Sequence, residues 1–257
     1  MNRINQLFAT TDHKIQSIYF CAGHPTLDGT ANTIQALEQA GIDMIEIGIP
    51  FSDPMADGPV IQDAATKALR NGMTLHKLFE QLHDIRLTVS IPLLLMGYLN
   101  PIYHYGFEAF FKKCRDLGID GVIIPDLPFQ DYLDSVKPLA DAYDVRVIML
   151  ITPETSDERI RLIDTHTDGF IYMVSSASVT GAQREFNETK QAYFNHIRNM
   201  NLRHPRMIGF GISNKQTLES ARANASGTII GSKFVQLLEQ HTEPTLAIAA
   251  LFEALKS

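Results

Sequence analysis

Two carboxylates bracket a loop with the makings of an active site. Glu46 lies inside the apolar run Met44-Ile-Glu-Ile-Gly-Ile49, and Asp57 sits near the end of Gly48-Ile-Pro-Phe-Ser-Asp-Pro-Met-Ala-Asp-Gly-Pro59. A strand covered on both faces reads as an unbroken apolar run, so a glutamate inside one is out of place. Burying a carboxylate without partners costs several kcal/mol or keeps it protonated. Alternation puts Met44, Glu46 and Gly48 on one face, and Gly48 is expected to leave open space above Glu46, toward the C-terminal ends of the strands. A neutral carboxyl facing a cavity suits general acid–base work. The alternative is a structural ion pair between Glu46 and a buried Lys or Arg. Asp57 is weaker evidence by itself, because Asp, Pro and Gly also make ordinary solvated turns. Its nearness to Glu46 favours function.

Three further segments have the look of phosphate ligands: Val179-Thr180-Gly181, Gly209-Phe210-Gly211-Ile-Ser213 and Gly231-Ser232. Backbone N–H groups of glycine-rich turns and helix N-termini hold phosphate well. Asp126, in Ile123-Ile-Pro-Asp-Leu-Pro128, ends an apolar run and is expected to point into the same mouth. Tyr19, Phe20, Tyr98 and Tyr172 are each explained by core packing alone. Together they suggest a pocket for a substrate aromatic at one end and phosphorylated at the other.

The elements that must carry these residues alternate. Apolar runs at 16–21, 44–49, 93–98, 121–125, 145–151, 169–174, 207–210 and 227–230 read as strands, separated by helical patterns. Phe107, Phe110, Phe111, Cys114 and Leu117 keep helical spacing and stop at Gly118, as Ile34 and Leu37 do before Gly41. After those glycines the chain nearly repeats: Gly41-Ile-Asp-Met-Ile-Glu-Ile47 is echoed by Gly118-Ile-Asp-Gly-Val-Ile-Ile124, and in part by Asp168-Gly-Phe-Ile-Tyr172. In that repeat Ile123 stands where Glu46 does. Eight strand–helix units in 257 residues predict an α/β fold, a single-domain (β/α)8 TIM barrel over 1–257 with a short extra N-terminal helix. An open doubly wound sheet would carry a glycine-rich turn after its first strand, and Ala22-Gly-His-Pro25 is not one. The three glycine segments then follow the sixth, seventh and eighth strands, and barrels bind phosphate in the loops after the last two.

Composition excludes several classes. Net charge is −7 with no basic block, which argues against nucleic acid. Cys21 and Cys114 form no framework, and Cys114 reads as core. Nine histidines show no metal-ligand spacing. No apolar run is long enough to span a bilayer, and a cytoplasmic location is expected.

With these residues in order, the chain resembles the tryptophan synthase alpha subunit family over essentially its whole length. The carriers are the long segment 46–59, Pro-Asp-Leu-Pro at 125–128, Ser-Val-Thr-Gly at 178–181, Gly-Phe-Gly-Ile-Ser at 209–213 and Gly-Ser at 231–232. The resemblance implies retro-aldol cleavage of indole-3-glycerol phosphate to indole and glyceraldehyde 3-phosphate. It implies that Glu46 protonates C3 of the indole and that Asp57 stabilises charge at the ring N–H. Glu46 acting again is one possibility for the base that takes the C3′ hydroxyl proton. It places Tyr172 against the substrate and Gly181, Phe210, Gly211, Gly231 and Ser232 around the phosphate. Tyr19, Tyr98, Asp126 and Thr180 complete the expected binding set. No cofactor or metal is implied in this chain. An α2β2 complex is implied, with Pro50 and Asp53 in the loop that meets a pyridoxal-phosphate beta subunit. Two positions depart from the family's habit. Ser175-Ser-Ala-Ser178 replaces a stretch that often carries arginine and glycine, and His24 stands where an acidic residue or tyrosine is usual; His24 reads as a new contact at the mouth or as a neutral surface change, and the second is expected. The rival readings are another sugar-phosphate barrel isomerase or epimerase, and a barrel that has lost catalysis and serves as an allosteric partner.

Overall fold

The computed structural model describes residues 1–174, 188–209 and 211–256. Among them nine strands form one all-parallel sheet: β1 (Ile15–Cys21), β2 (Met44–Gly48), β3 (Leu93–Met96), β4 (Gly121–Ile123), β5 (Arg146–Ile148), β6 (Leu150–Ile151), β7 (Ile171–Val174), β8 (Arg206–Gly209) and β9 (Gly227–Ile230). Their order is β5-β4-β3-β2-β1-β9-β8-β7-β6. β5 and β6 are two halves of the expected strand 145–151, parted at Met149, so the two ends of the sheet meet in one run of chain. The ring therefore has eight staves, and the fold is the expected (β/α)8 barrel.

The helices form where the apolar spacing places them. Phe107–Leu117 buries Phe110, Phe111, Cys114 and Leu117 and ends at Gly118 in the left-handed conformation (φ 71°). Thr30–Gln39 buries Ile34 and Leu37 and is followed by Gly41 at φ 82°. Both glycines accept backbone angles that a side chain would strain, which is why the helix-to-strand turn repeats.

The N-terminal helix, Arg3–Thr10, closes the floor of the barrel. The Asn2 side chain accepts the Ile4 N–H (2.9 Å) and donates to the carbonyls of Asp120 (2.9 Å) and Asp144 (2.8 Å). Ile4 is fully buried, and a Cβ at Gly121 would lie 2.8 Å from its Cδ1. Gly121, at the foot of β4, thus makes room for the plug. Asp120 ties the same floor together, accepting from Arg3 (2.9 Å), Arg86 (2.7 Å) and the Leu93 N–H (3.0 Å). Replacing Ile4 by Ala empties a filled site and should lower stability by about 2–5 kcal/mol, read as a reduced urea midpoint with unchanged m-value; a loss within error would mean the helix does not seal the core.

Strand register settles which side chains face inward. Tyr19 pairs with Glu46, Glu46 with Leu94, and Leu94 with Gly121. Going the other way, Ser17 pairs with Ile229, Ile229 with Gly209, and Gly209 with Val174. Paired residues share a face and alternate residues share a face. Ser17, Tyr19, Glu46, Gly48, Tyr172 and Gly209 therefore all point into the barrel. Phe20 points the other way, into the layer under the helices, where it is buried. Phe20 therefore does not face the same side as Tyr19 and Tyr172, contrary to the expectation that all four rings share one pocket.

Candidate active site

Glu46 is the most buried ionisable group in the barrel mouth, with 0% exposure. Its Oε1 accepts from the Ser17 hydroxyl at 3.2 Å, and its Oε2 has no partner among the described residues. Among the described residues no basic side chain pairs with it, so none of them makes the structural ion pair of the alternative reading. Burial pushes its carboxyl up to about 8, and the Ser17 hydrogen bond offsets only part of that. Glu46 is thus a neutral acid at pH 7.

The space above it differs from expectation. A Cβ at Gly48 would meet the Tyr19 hydroxyl oxygen at 2.2 Å, so Gly48 does not leave a void. It lets a phenol lie across the strand beside the carboxylate. β8 repeats the device, since a Cβ at Gly209 would meet the Tyr172 hydroxyl at 2.1 Å. Each of these tyrosines thus crosses the strand next to its own at a glycine, Tyr19 over β2 and Tyr172 over β8. Burial raises both phenols well above their usual range, and the nearby Glu46 and Asp57 charges add to it.

Asp57 is brought to the same mouth by the loop after β2. The Tyr98 hydroxyl donates to its Oδ2 at 2.8 Å while accepting the Ala56 N–H at 2.9 Å. Gly58 and Pro59 then open the helix Pro59–Arg70, with proline at a position whose N–H would be unpaired anyway. Burial pushes the Asp57 carboxyl up to about 6 against the lowering effect of the Tyr98 hydrogen bond. The two carboxyls therefore occupy different protonation states near pH 7: Glu46 neutral, Asp57 ionised.

The other expected residues fall as follows. Gly231 caps the helix Ser232–His241 and Ser232 is its exposed first residue. That ten-residue helix follows β9 directly, and no side chain among the described residues caps its first turn. Gly211 adopts φ 78°, a conformation suited to glycine. Asp126 is exposed after β4, where its Oδ1 accepts the Leu99 N–H at 2.8 Å and so caps the helix Leu99–Tyr105. Thr180, Gly181, Phe210 and the segment Ser175–Ser178 lie outside the described residues. In the loop after β2, Asp53 is exposed and Met55 is 86% exposed, whereas Pro50 is buried at the loop's base. Among the described residues no cluster of His, Cys, Asp and Glu could hold a metal ion, and no helix is long and apolar enough to cross a membrane.

His24 corrects an expectation. It is 3% exposed rather than on the surface. The turn holding it is drawn in by Asn71, whose amide donates to the carbonyls of Gly23 (2.9 Å) and Pro25 (3.0 Å). Burial keeps the imidazole below its usual range despite Glu239 at 4.0 Å, so it packs as a neutral ring. Sequence reasoning also missed Ser17 and the grip of Tyr98 on Asp57. Ser17 gave the same signal as Glu46, a polar residue on the inward face of an apolar strand.

The family model for the tryptophan synthase alpha chain matches residues 9–256. The chain belongs to the tryptophan synthase alpha chain family. Its activity is the retro-aldol cleavage of indole-3-glycerol phosphate to indole and glyceraldehyde 3-phosphate. The tryptophan synthase alpha chain of Phocaeicola vulgatus is 69% identical over 258 residues, covering 100% of both chains. That of Bacteroides thetaiotaomicron is 66% identical over 256 residues, again covering 100% of both. Among solved structures, a tryptophan synthase alpha chain from Legionella pneumophila superposes with a TM-score of 0.89 at 31% identity, covering 99% of this chain and 96% of that one.

Proposed function

We propose that Glu46 and Asp57 divide the lyase chemistry between them, with the whole chain 1–257 acting as one catalytic barrel. Breaking the C3–C3′ bond requires the indole ring to accept the bond's electrons. Protonating C3 makes the ring an iminium-like cation that does so. Glu46, neutral and with Oε2 uncommitted, supplies that proton. Asp57, ionised and held by Tyr98, lies against the ring N–H, where the positive charge develops. Loss of the C3′ hydroxyl proton then forms the aldehyde carbonyl as the C3–C3′ pair returns to the ring. Glu46, just deprotonated, is the base at hand for that step, which restores the starting enzyme.

Tyr19 and Tyr172 wall the ring. The phosphate is assigned to Gly211, to the first turn of the helix Ser232–His241 at Gly231 and Ser232, and to Thr180, Gly181 and Phe210 as further ligands. Asp126 helps frame the mouth by fixing the turn after β3. The observation that carries this reading is the fully buried Glu46, which has a hydroxyl on one oxygen and no partner among the described residues on the other.

The chain needs no cofactor for this half-reaction. In the same reading it works in the cytoplasm within an α2β2 assembly, handing indole to a pyridoxal-phosphate beta subunit. The exposed loop around Asp53 and Met55, anchored by buried Pro50, is the docking surface. Indole release from indole-3-glycerol phosphate, followed with the alpha chain alone and on titration with a beta subunit, tests both parts. Slow release that rises severalfold on addition is expected. No release under either condition would point to a barrel without this catalysis, and a rate indifferent to the beta subunit would overturn the coupling.

A further inference from the structure

The two oxygens of Glu46 have different surroundings, and one residue makes them so. Ser17, on β1, is fully buried and points inward one step below Tyr19. Its hydroxyl reaches Oε1 at 3.2 Å, while Oε2 meets no hydrogen-bond partner among the described residues. A neutral carboxyl has one carbonyl oxygen and one hydroxyl oxygen. An O–H donor beside one of them makes that one the carbonyl and leaves the proton on the other.

We infer that Ser17 is a positioning residue for the cleavage reaction: by donating to Oε1 it keeps the Glu46 proton on Oε2 and holds the carboxyl in one orientation for transfer to the ring. This rests on the proposed role of Glu46 as general acid. The titratable groups facing Glu46 are Tyr19 from β1 and Tyr172 from β7, with Asp57 and its partner Tyr98 beyond them and Cys21 at the top of β1. Tyr19, Cys21, Tyr98 and Tyr172 are all held protonated by burial. None of them competes with Ser17 for Oε1. Without the hydroxyl, either oxygen carries the proton and the carboxyl is free to turn, so a fraction of bound substrate faces an acceptor instead of a donor. Loss of the donor also removes the interaction that, among the described residues, favours the ionised form of Glu46.

The experiment is steady-state cleavage of indole-3-glycerol phosphate across pH by the full chain with its beta subunit, for Ser17→Ala and Ser17→Thr. Ser17→Ala removes a single atom from a packed strand and is expected to fold. Its kcat should fall about threefold to tenfold, the weight of one hydrogen bond, with KM little changed. Its alkaline limb should move to higher pH by up to about one unit. Ser17→Thr keeps the hydroxyl and should keep the parent's limb, even if its extra methyl slows turnover. An unchanged kcat in Ser17→Ala, or a limb that stays put or moves to lower pH, overturns the inference; movement downward would mean that Ser17 accepts the proton instead of directing it. Normal turnover by Glu46→Gln would instead fail the reading of Glu46 itself, so the two failures are distinguishable.

Discussion

Glu46→Gln should release indole about a hundredfold to ten-thousandfold more slowly than the parent, the range for removing a positioned general acid. It should nevertheless fold at least as well. Glutamine is close in shape to a protonated glutamate, and its carbonyl can still accept from Ser17. The stability consequence follows from linkage. The Glu46 carboxyl has an ordinary value of 4.5 and is pushed up to about 8 in the folded chain. Between those values the folded chain keeps a proton that the unfolded chain releases. Stability therefore falls as pH rises from about 4.5 to about 8, then levels off. At pH 7 the penalty is roughly 3 kcal/mol. Glu46→Gln lacks an ionisable group there, so its advantage over the parent should grow between pH 5 and pH 8. Urea unfolding at several pH values reads this, and single-turnover indole release reads the chemistry. Near-normal release would remove Glu46 from the mechanism. A stability difference that does not change with pH would mean that Glu46 is not held neutral by its burial.

Asp57→Asn should cost about a hundredfold in kcat/KM, by removing an anion aimed at the charge that develops on the ring. Its pH behaviour is the sharper readout. The parent needs Asp57 ionised and Glu46 protonated, so kcat/KM should rise through about pH 6 and fall through about pH 8. The substrate's own phosphate also titrates near pH 6, so the acid limb of the parent alone does not identify the group. The variant does: asparagine cannot titrate, and the acid limb should lose the Asp57 contribution while the alkaline limb stays near 8. An acid limb of unchanged shape and steepness in Asp57→Asn would assign it to the substrate and leave Asp57 without the proposed role.

Much of this protein was legible before any tertiary contact was known. Apolar runs parted by helical spacing, and glycines at 41 and 118 closing helices into strands, determine local conformation through steric rules that act within a few residues. Their number and alternation determine a parallel barrel, because such units bury both sheet faces in few other ways. Glu46 was visible for the same reason: strand alternation carried it inward, where a charge has no place. Alternation also held the means to reject Phe20 and to notice Ser17, since odd and even positions of β1 face opposite sides.

What tertiary structure alone decided are relations between distant segments. Gly48 reads as empty space along its own strand; the space is filled because β1 lies alongside in a register that sets Tyr19 across it. His24 reads as surface because its neighbours are turn-formers, yet Asn71, far along the chain, draws that turn into the protein. Asp57 becomes a defined group only when Tyr98, on the loop after the next strand, reaches it. The different protonation states of Glu46 and Asp57 follow from the same cause. Burial and partner hydrogen bonds set a carboxyl's proton affinity, and both are properties of the packed barrel that no stretch of sequence carries by itself.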